Sequence, residues 1–414
     1  MEYSDRYKNS YQLFERATQV IPGGIPSPRT PYFLTFGKQP VFIDRAEGAR
    51  LWDVDGHEYI DYMCAYGAVF LGYQHPVVEK AVQEQAKKSN CTSLPSRKWV
   101  ELAEFLVQDI PMADWCVFAK NGSDVTSHAA MVARAHTEKP GIARAHHAYH
   151  GVHHWCVEST VGIPPEYKEH NYFFNYNDIE DMEEVVEKNK DRLAALFLTP
   201  VGHWALKDQE EPAPAFLEKA RELCDKHGIL LAIDDIRCGF RIKYEGTHAY
   251  YSNIEPDLLC FGKAIGNGHP LAVSLGKKEY FESAKRLYFS GTHFYSAEPL
   301  AAALACLNEI KTSGAIEKVH KLGTRLMEGL REAGKNHGFN VSVTGHPAMP
   351  YMTFENDDNR EKNREFCAEA AIRGIFFHPH HNWFVSAALN EEDIEKTIEA
   401  SDGSFKAMKE NQGA

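Results

Sequence analysis

Residues 213–235 read APAFLEKARELCDKHGILLAIDD, and this stretch decides the fold. Its first part, Ala213–His227, is charged and helix-compatible. The run Ile229–Ile233 is apolar without interruption, β-type in character, and ends on two acids, Asp234 and Asp235. A strand apolar on both faces belongs inside a parallel sheet covered by helices. The same pattern extends outward. Leu193–Leu198 lies upstream, and Leu258–Phe261 and Leu271–Leu275 lie downstream, each a short strand. Nearer the start, Asp114–Ala119 (DWCVFA) reads as a buried strand and the segment after Gly122 as a helix. The alternation predicts an α/β fold: a large domain with a mostly parallel sheet flanked by helices.

The chain ends read differently. Residues 41–62 (VFIDRAEGARLWDVDGHEYIDY) predict short antiparallel strands with turns at Glu47-Gly48 and Asp55-Gly56. After Pro299 come long amphipathic helices, strands near Val341–Val343 and Tyr351–Phe354, another helix, and a closing helix from about Glu391. The expected organisation is a smaller α+β domain built from both chain ends. Its N-terminal segment is 1–60, the large domain is 61–299, and the C-terminal part is 300–414.

With 414 residues, 43% apolar and 25% charged, the chain has the composition of a globular protein with a sizeable core. A net charge of −13 argues against nucleic acid as a partner, because a phosphate backbone needs a basic face. No apolar run approaches the ~18–20 residues that cross a bilayer. The polar start MEYSDRYKNSYQLFER resembles neither a secretory signal nor a transit peptide, so the cytoplasm is the expected address. The nine cysteines are scattered without a CxxC pair and are expected as free, mostly buried thiols.

Three segments carry chemistry. Phe118–Thr126 runs from a strand through Asn121-Gly122-Ser123 into a helix, where exposed backbone N–H groups and the helix dipole make a phosphate cup. Simple helix capping by Ser123 or Asn121 is the plainer alternative. Asp234 and Asp235 sit at the C-terminal end of a strand, where α/β folds place ligands; a turn or cap explains them equally well. Lys263, in LLCFGKAIGNGHPL (258–271), follows a buried strand among Gly262, Gly266 and Gly268. Apolar and small neighbours desolvate its amine and lower its proton affinity, as imine chemistry requires, and leave room for a planar ring.

Taken together, these segments resemble the class III, fold-type I pyridoxal-phosphate (PLP) aminotransferases, and among them the glutamate-1-semialdehyde 2,1-aminomutase-like group. The resemblance spans nearly the whole chain. It rests on Ile21-Pro-Gly-Gly with Ser27-Pro, Asp53-Val-Asp-Gly, Leu71-Gly-Tyr-Gln-His-Pro, Tyr149-His-Gly, Asp234-Asp-Ile-Arg-Cys-Gly-Phe-Arg and Gly262-Lys-Ala-Ile-Gly-Asn-Gly-His-Pro. It implies PLP as cofactor, a small amine or amino-acid donor and a keto acceptor. Lys263 would hold the cofactor as a Schiff base and shuttle the proton, and Asp234 would pair with the pyridine nitrogen. Ile236 and Tyr149 would flank the ring, with His150 supporting the pocket. Gly122 and Ser123 would bind the phosphate. The Gly291-Thr292 pair would place Thr292 in the phosphate site of a neighbouring subunit, implying a homodimer with active sites at the subunit interface.

Several positions depart from the family pattern. Asp235 replaces the usual Glu, Thr199 stands where the family places Glu, and Cys64-Ala-Tyr-Gly replaces Gly-Ser-Trp-Gly. Arg237 can pair with a substrate carboxylate or with a nearby acid, the structural pairing being preferred. These changes weigh against the aminomutase specifically. Transamination is the expected reaction; aminomutase and racemase or epimerase chemistry are the alternatives on one scaffold, and a catalytically silent relative is disfavoured by the presence of Lys263, Asp234 and Tyr149. The histidine clusters 146–154 and 378–381 lack an HExxH or cysteine companion, and no metal is expected. His380-His381-Asn382-Trp383 matches a stretch that in the resembling group lies by the active-site mouth.

Overall fold

The computed structural model describes residues 5–25, 30–157, 159, 161–202 and 207–412; Ser27 and Pro28 of the N-terminal signature lie outside them. Two compact units are formed, one from 1–75, 205–209 and 317–414, the other from 76–204 and 210–316.

The larger unit is built on seven strands: β1 (Trp115–Ala119), β2 (Gly141–Ala145), β3 (Asn171–Phe174), β4 (Leu193–Leu198), β5 (Leu230–Asp234), β6 (Leu258–Phe261) and β7 (Ala272–Gly276). Their order in the sheet is β1-β7-β6-β5-β4-β2-β3. Strands β2 to β6 pair in parallel, whereas β7 runs antiparallel to both β1 and β6. β1 therefore points the same way as β6, and six strands end on one edge of the sheet. The central strands β4, β5 and β6 are buried at every residue, which is why they read as unbroken apolar runs.

The helix Pro214–His227 closes on Gly228 in the left-handed region (φ 61°), whose N–H caps the Cys224 carbonyl. The helix Gly122–Thr137 buries Val125, Ala129, Ala130, Val132 and Ala133 in the same core as Ala195, Phe197, Ala232 and Cys260. One expectation is modified: Ala297–Ser313 is not two-faced. It packs against the helices Pro76–Ala86 and Arg97–Asp109 and buries residues on most of its faces.

The smaller unit opens on the antiparallel strands Ile43–Glu47, Arg50–Asp53 and Glu58–Asp61, with Ile375–Phe376 added in parallel. Gly48 (φ 56°) and Gly56 (φ 89°) make the turns. The Asp53-Val-Asp-Gly block is scaffolding. Asp53 Oδ1 accepts the N–H groups of Asp55 and His57, and its Oδ2 accepts the Tyr59 hydroxyl at 2.6 Å. Asp55 receives the N–H groups of Asn9 (2.7 Å) and Ser10 (3.0 Å) at the start of the helix Lys8–Thr18.

Cys64, Ala65 and Tyr66 are consecutive left-handed residues (φ 47°, 50° and 56°), at a cost of about 1 kcal/mol or more each. Buried Asp61 holds them, accepting from the N–H groups of Met63 and Cys64 and from the Tyr73 hydroxyl. The later part of the unit pairs Val341–Thr344 with Tyr351–Phe354 and closes on the helix Glu391–Gln412. All nine cysteines are free, and only Cys91 and Cys116 are not fully buried. Among the described residues no helix is long and apolar enough to cross a membrane.

Candidate active site

The strand directions gather the sequence-singled residues on one sheet edge. β5 and β6 are adjacent and parallel, with Asp234 opposite Cys260 in register, so Asp234 and Lys263 leave neighbouring strand ends. Asn121–Ser123 leaves β1, Tyr149 and His150 follow β2, and Thr199 follows β4. The C-terminal edge of a parallel sheet is where loops and helix N-termini converge without strand backbone to satisfy them.

Lys263 is only partly exposed, with a left-handed backbone (φ 43°). Burial, reinforced by the Arg237 charge and opposed by Asp234, pulls its ammonium group down to about 8. Asp234 is buried, 7% exposed. Its Oδ2 meets His150 Nδ1 at 2.8 Å and its Oδ1 accepts the Ile236 N–H at 3.3 Å. His150 is held in turn by its backbone carbonyl, which accepts the Thr126 hydroxyl at 2.7 Å.

The helix start is shaped for a group that approaches the backbone closely. A Cβ on Gly122 would stand 2.8 Å from Ile236 Cδ1, and one on Gly262 3.1 Å from Ile236 Cγ2. Asn121 N–H donates to Asp124 Oδ2 at 2.9 Å, so capping does operate here. Ser123 Oγ accepts the Val152 N–H at 3.0 Å, which leaves its own hydrogen to donate elsewhere. Gly151 between these loops has φ 126°, and a Cβ there would lie 2.6 Å from Ser123 Oγ. A half-bonded hydroxyl beside a helix N-terminus, a buried carboxylate and a desolvated amine form a set that fits PLP: an anion, a protonated ring nitrogen and an aldehyde.

The remaining predicted residues divide. Ile236 is half-buried between Gly122 and Gly262. Tyr149 is 62% exposed in this chain. Thr292 is exposed at the head of the turn Thr292–Tyr295, its carbonyl accepting from Cys91 Sγ at 3.4 Å, and takes no part in the hydrogen bonds around Lys263 and Asp234. Thr199 Oγ1 and an Arg237 guanidinium nitrogen converge on the Val201 carbonyl, at 3.2 and 2.8 Å.

Three histidines of the 146–154 stretch each have a partner of another residue type. His146 stacks on Phe173, His153 meets Ser127 Oγ at 2.7 Å, and His154 lies against Tyr167. Residues 146–157 form no helix, so His150 and His154 share no helix face. Among the described residues no group of three or more His, Cys, Asp or Glu is placed to hold a metal. In the smaller unit Trp383 is fully buried, stacked on Phe377 with centroids 3.9 Å apart, whereas His381 meets Tyr66.

Residues 35–400 match the family model for Aminotransferase class-III. The chain belongs to the class-III aminotransferases. It is 37% identical over 396 residues, 96% of its length and 93% of the other, to the aminopentol aminotransferase of Sphingopyxis macrogoltabida. The 3-aminobutyryl-CoA aminotransferase of Cloacimonas acidaminovorans is 36% identical, with 94% and 95% of the two chains covered. A glutamate-1-semialdehyde 2,1-aminomutase, from Desulforamulus reducens, is 33% identical with 97% and 98% covered. The solved PLP internal aldimine form of the FumI protein of Sphingopyxis sp. MTA144 superposes with a TM-score of 0.95 at 37% identity, covering 98% of both chains. This class-III aminotransferase thus has the fold-type I architecture, uses PLP and transfers amino groups.

Proposed function

We propose that this enzyme moves an amino group between a small amino compound and a keto or aldehyde acceptor, with Lys263 as the residue that holds PLP covalently. The observation that carries the reading is the pairing of a buried, His150-bonded Asp234 with a desolvated Lys263 on neighbouring strand ends. PLP, when bound, supplies an aldehyde that condenses with amines and a ring that withdraws electrons. Everything else is the work of the chain. The Lys263 amine, neutral in a useful fraction near neutrality, would hold the aldehyde by condensing with it and releasing water, and once freed would carry the proton from the substrate Cα. Asp234, held as an acceptor by the His150 Nδ1–H, keeps a facing ring nitrogen protonated.

Gly122 N–H and the Ser123 hydroxyl bind the phosphate at the helix N-terminus. Ile236 and Tyr149 would flank the cofactor ring. Thr292 of one subunit completes the phosphate site of its partner, so the working enzyme is a homodimer; its exposure in the single chain supports this. The cytoplasm is the proposed location, in keeping with nine free thiols. The donor is a primary amine or amino acid and the acceptor a keto compound. Intramolecular amine transfer, as in the aminomutases, is the second reading, supported by the similarity to them.

The two are separated by half-reactions. Amines added singly to loaded enzyme, without acceptor, should bleach its visible absorbance permanently, and a keto acid should restore it. An enzyme that returns to its starting spectrum with every amine, releasing no keto product, is no transaminase.

A further inference from the structure

Asp235 has no part in the chemistry above, yet it is fully buried beside Asp234. Its backbone N–H donates to the Cys260 carbonyl at 2.9 Å, tying β5 to the strand that carries Lys263, and its carbonyl accepts from Gly239 at 2.8 Å. One carboxylate oxygen, Oδ2, accepts the Thr247 N–H at 2.6 Å and fastens the loop before residue 248 to the strand end. The other, Oδ1, is buried with no hydrogen-bond partner among the described residues. Two adjacent carboxylates both ionised in such a place repel at low dielectric, and a naked buried carboxylate oxygen carries a large desolvation cost. His150 and the Ile236 N–H support the charge on Asp234, whereas for Asp235 the donors among the described residues come from Thr247 alone.

We propose that Asp235 is a positioning residue that stays a neutral carboxylic acid on the acid side of neutrality, so that there Asp234 alone of the adjacent pair carries negative charge. Burial raises its proton affinity to about 7; the Thr247 hydrogen bonds oppose this, Asp234 adds to it, and the Arg237 charge lowers it. The Cys238 thiol feels the Asp235 charge as well, together with the charges of Lys263 and the buried Arg241. For the consequence at the cofactor the proposal rests on the role given to Asp234; the protonation state itself does not.

The test compares wild type with Asp235→Asn, the neutral isostere, by thermal unfolding of cofactor-free and PLP-loaded protein on both sides of neutrality. A carboxyl with raised proton affinity imposes no penalty below its unfolded value and a full one above its folded value. The melting temperature of the variant relative to wild type should therefore rise by about 2–4 °C from acid to alkaline pH. The infrared carbonyl band of a protonated carboxyl, present in wild type on the acid side, should be absent from the variant. A pH-independent difference, a variant weaker on the alkaline side, an unchanged band or a variant that does not fold overturns the proposal. Cofactor-free protein gives the same answer, so failure of the Lys263 assignment would leave this result readable.

Discussion

Lys263 gives the account its sharpest quantity. An ordinary lysine is almost wholly protonated at neutral pH, whereas burial and the Arg237 charge bring this one to about 8. In the proposed reaction the neutral amine is the nucleophile. The rate at which cofactor-free enzyme captures PLP should therefore climb with pH up to about 8 and level off above it. A rate still climbing steeply beyond that point, followed by stopped-flow absorbance, would mean an unperturbed lysine. Removing the amine with Lys263→Ala should lower turnover by several orders of magnitude, because nucleophile and proton carrier vanish together. Asp234→Asn should keep PLP but lose about a hundredfold or more in kcat, since an amide does not hold a ring proton; steady-state kinetics at saturating PLP measures this. Lys263 and Asp234 are both legible in the sequence, one as a charge in apolar and glycine surroundings, the other as an acid ending an apolar strand. The hydrogen bond from His150 to Asp234 is not, because it joins residues 84 apart in the chain and depends on how two loops meet.

At the scale of elements, the proposed phosphate cradle depends on two loops lying against each other. Thr126 reaches the His150 carbonyl, Ser123 receives Val152, and Trp155 Nε1 donates to Ser127. Gly151 sits between them with a left-handed backbone and no space for a side chain. Gly151→Ala should destabilise the protein by roughly 1–3 kcal/mol and weaken PLP retention at least about tenfold, since the added carbon pushes on Ser123. Gly162 is the control: it too has positive φ (74°), but nothing lies within 4 Å of its would-be Cβ. Gly162→Ala should carry only a backbone cost of about 1 kcal/mol and leave PLP binding alone. Equal PLP retention in the two variants, read by equilibrium dialysis, would separate the cradle from Gly151. Apolar runs reveal strands but not their direction, so the antiparallel course of β7 became visible only in the paired register. The Asp53-Val-Asp-Gly block shows the complementary limit: a recognisable motif whose acids hold a turn and a helix start.

At the scale of the whole molecule, the alternating pattern of residues 193–275 was enough to indicate the class of fold, and the likeness to a solved relative at a TM-score of 0.95 bears it out. Substrate choice is far less legible, because it depends on side chains drawn from distant segments, such as Thr199 and Arg237 meeting on one carbonyl. The proposed exchange of Thr292 between subunits makes a prediction no single chain can satisfy. A Lys263→Ala subunit and a subunit with Thr292→Asp should each be poorly active alone. Mixed dimers assemble one site with both Lys263 and Thr292 intact, and random reassortment should return roughly a quarter of wild-type activity. Mixtures no better than their components would show that each subunit supplies its own phosphate ligands.

The most direct measurement is chemical. Purified enzyme is loaded with PLP, reduced with borohydride, digested and sequenced by mass spectrometry. The account predicts one phosphopyridoxyl group, on Lys263 within peptide 258–270. A modification on another lysine, or none on that peptide, would contradict it.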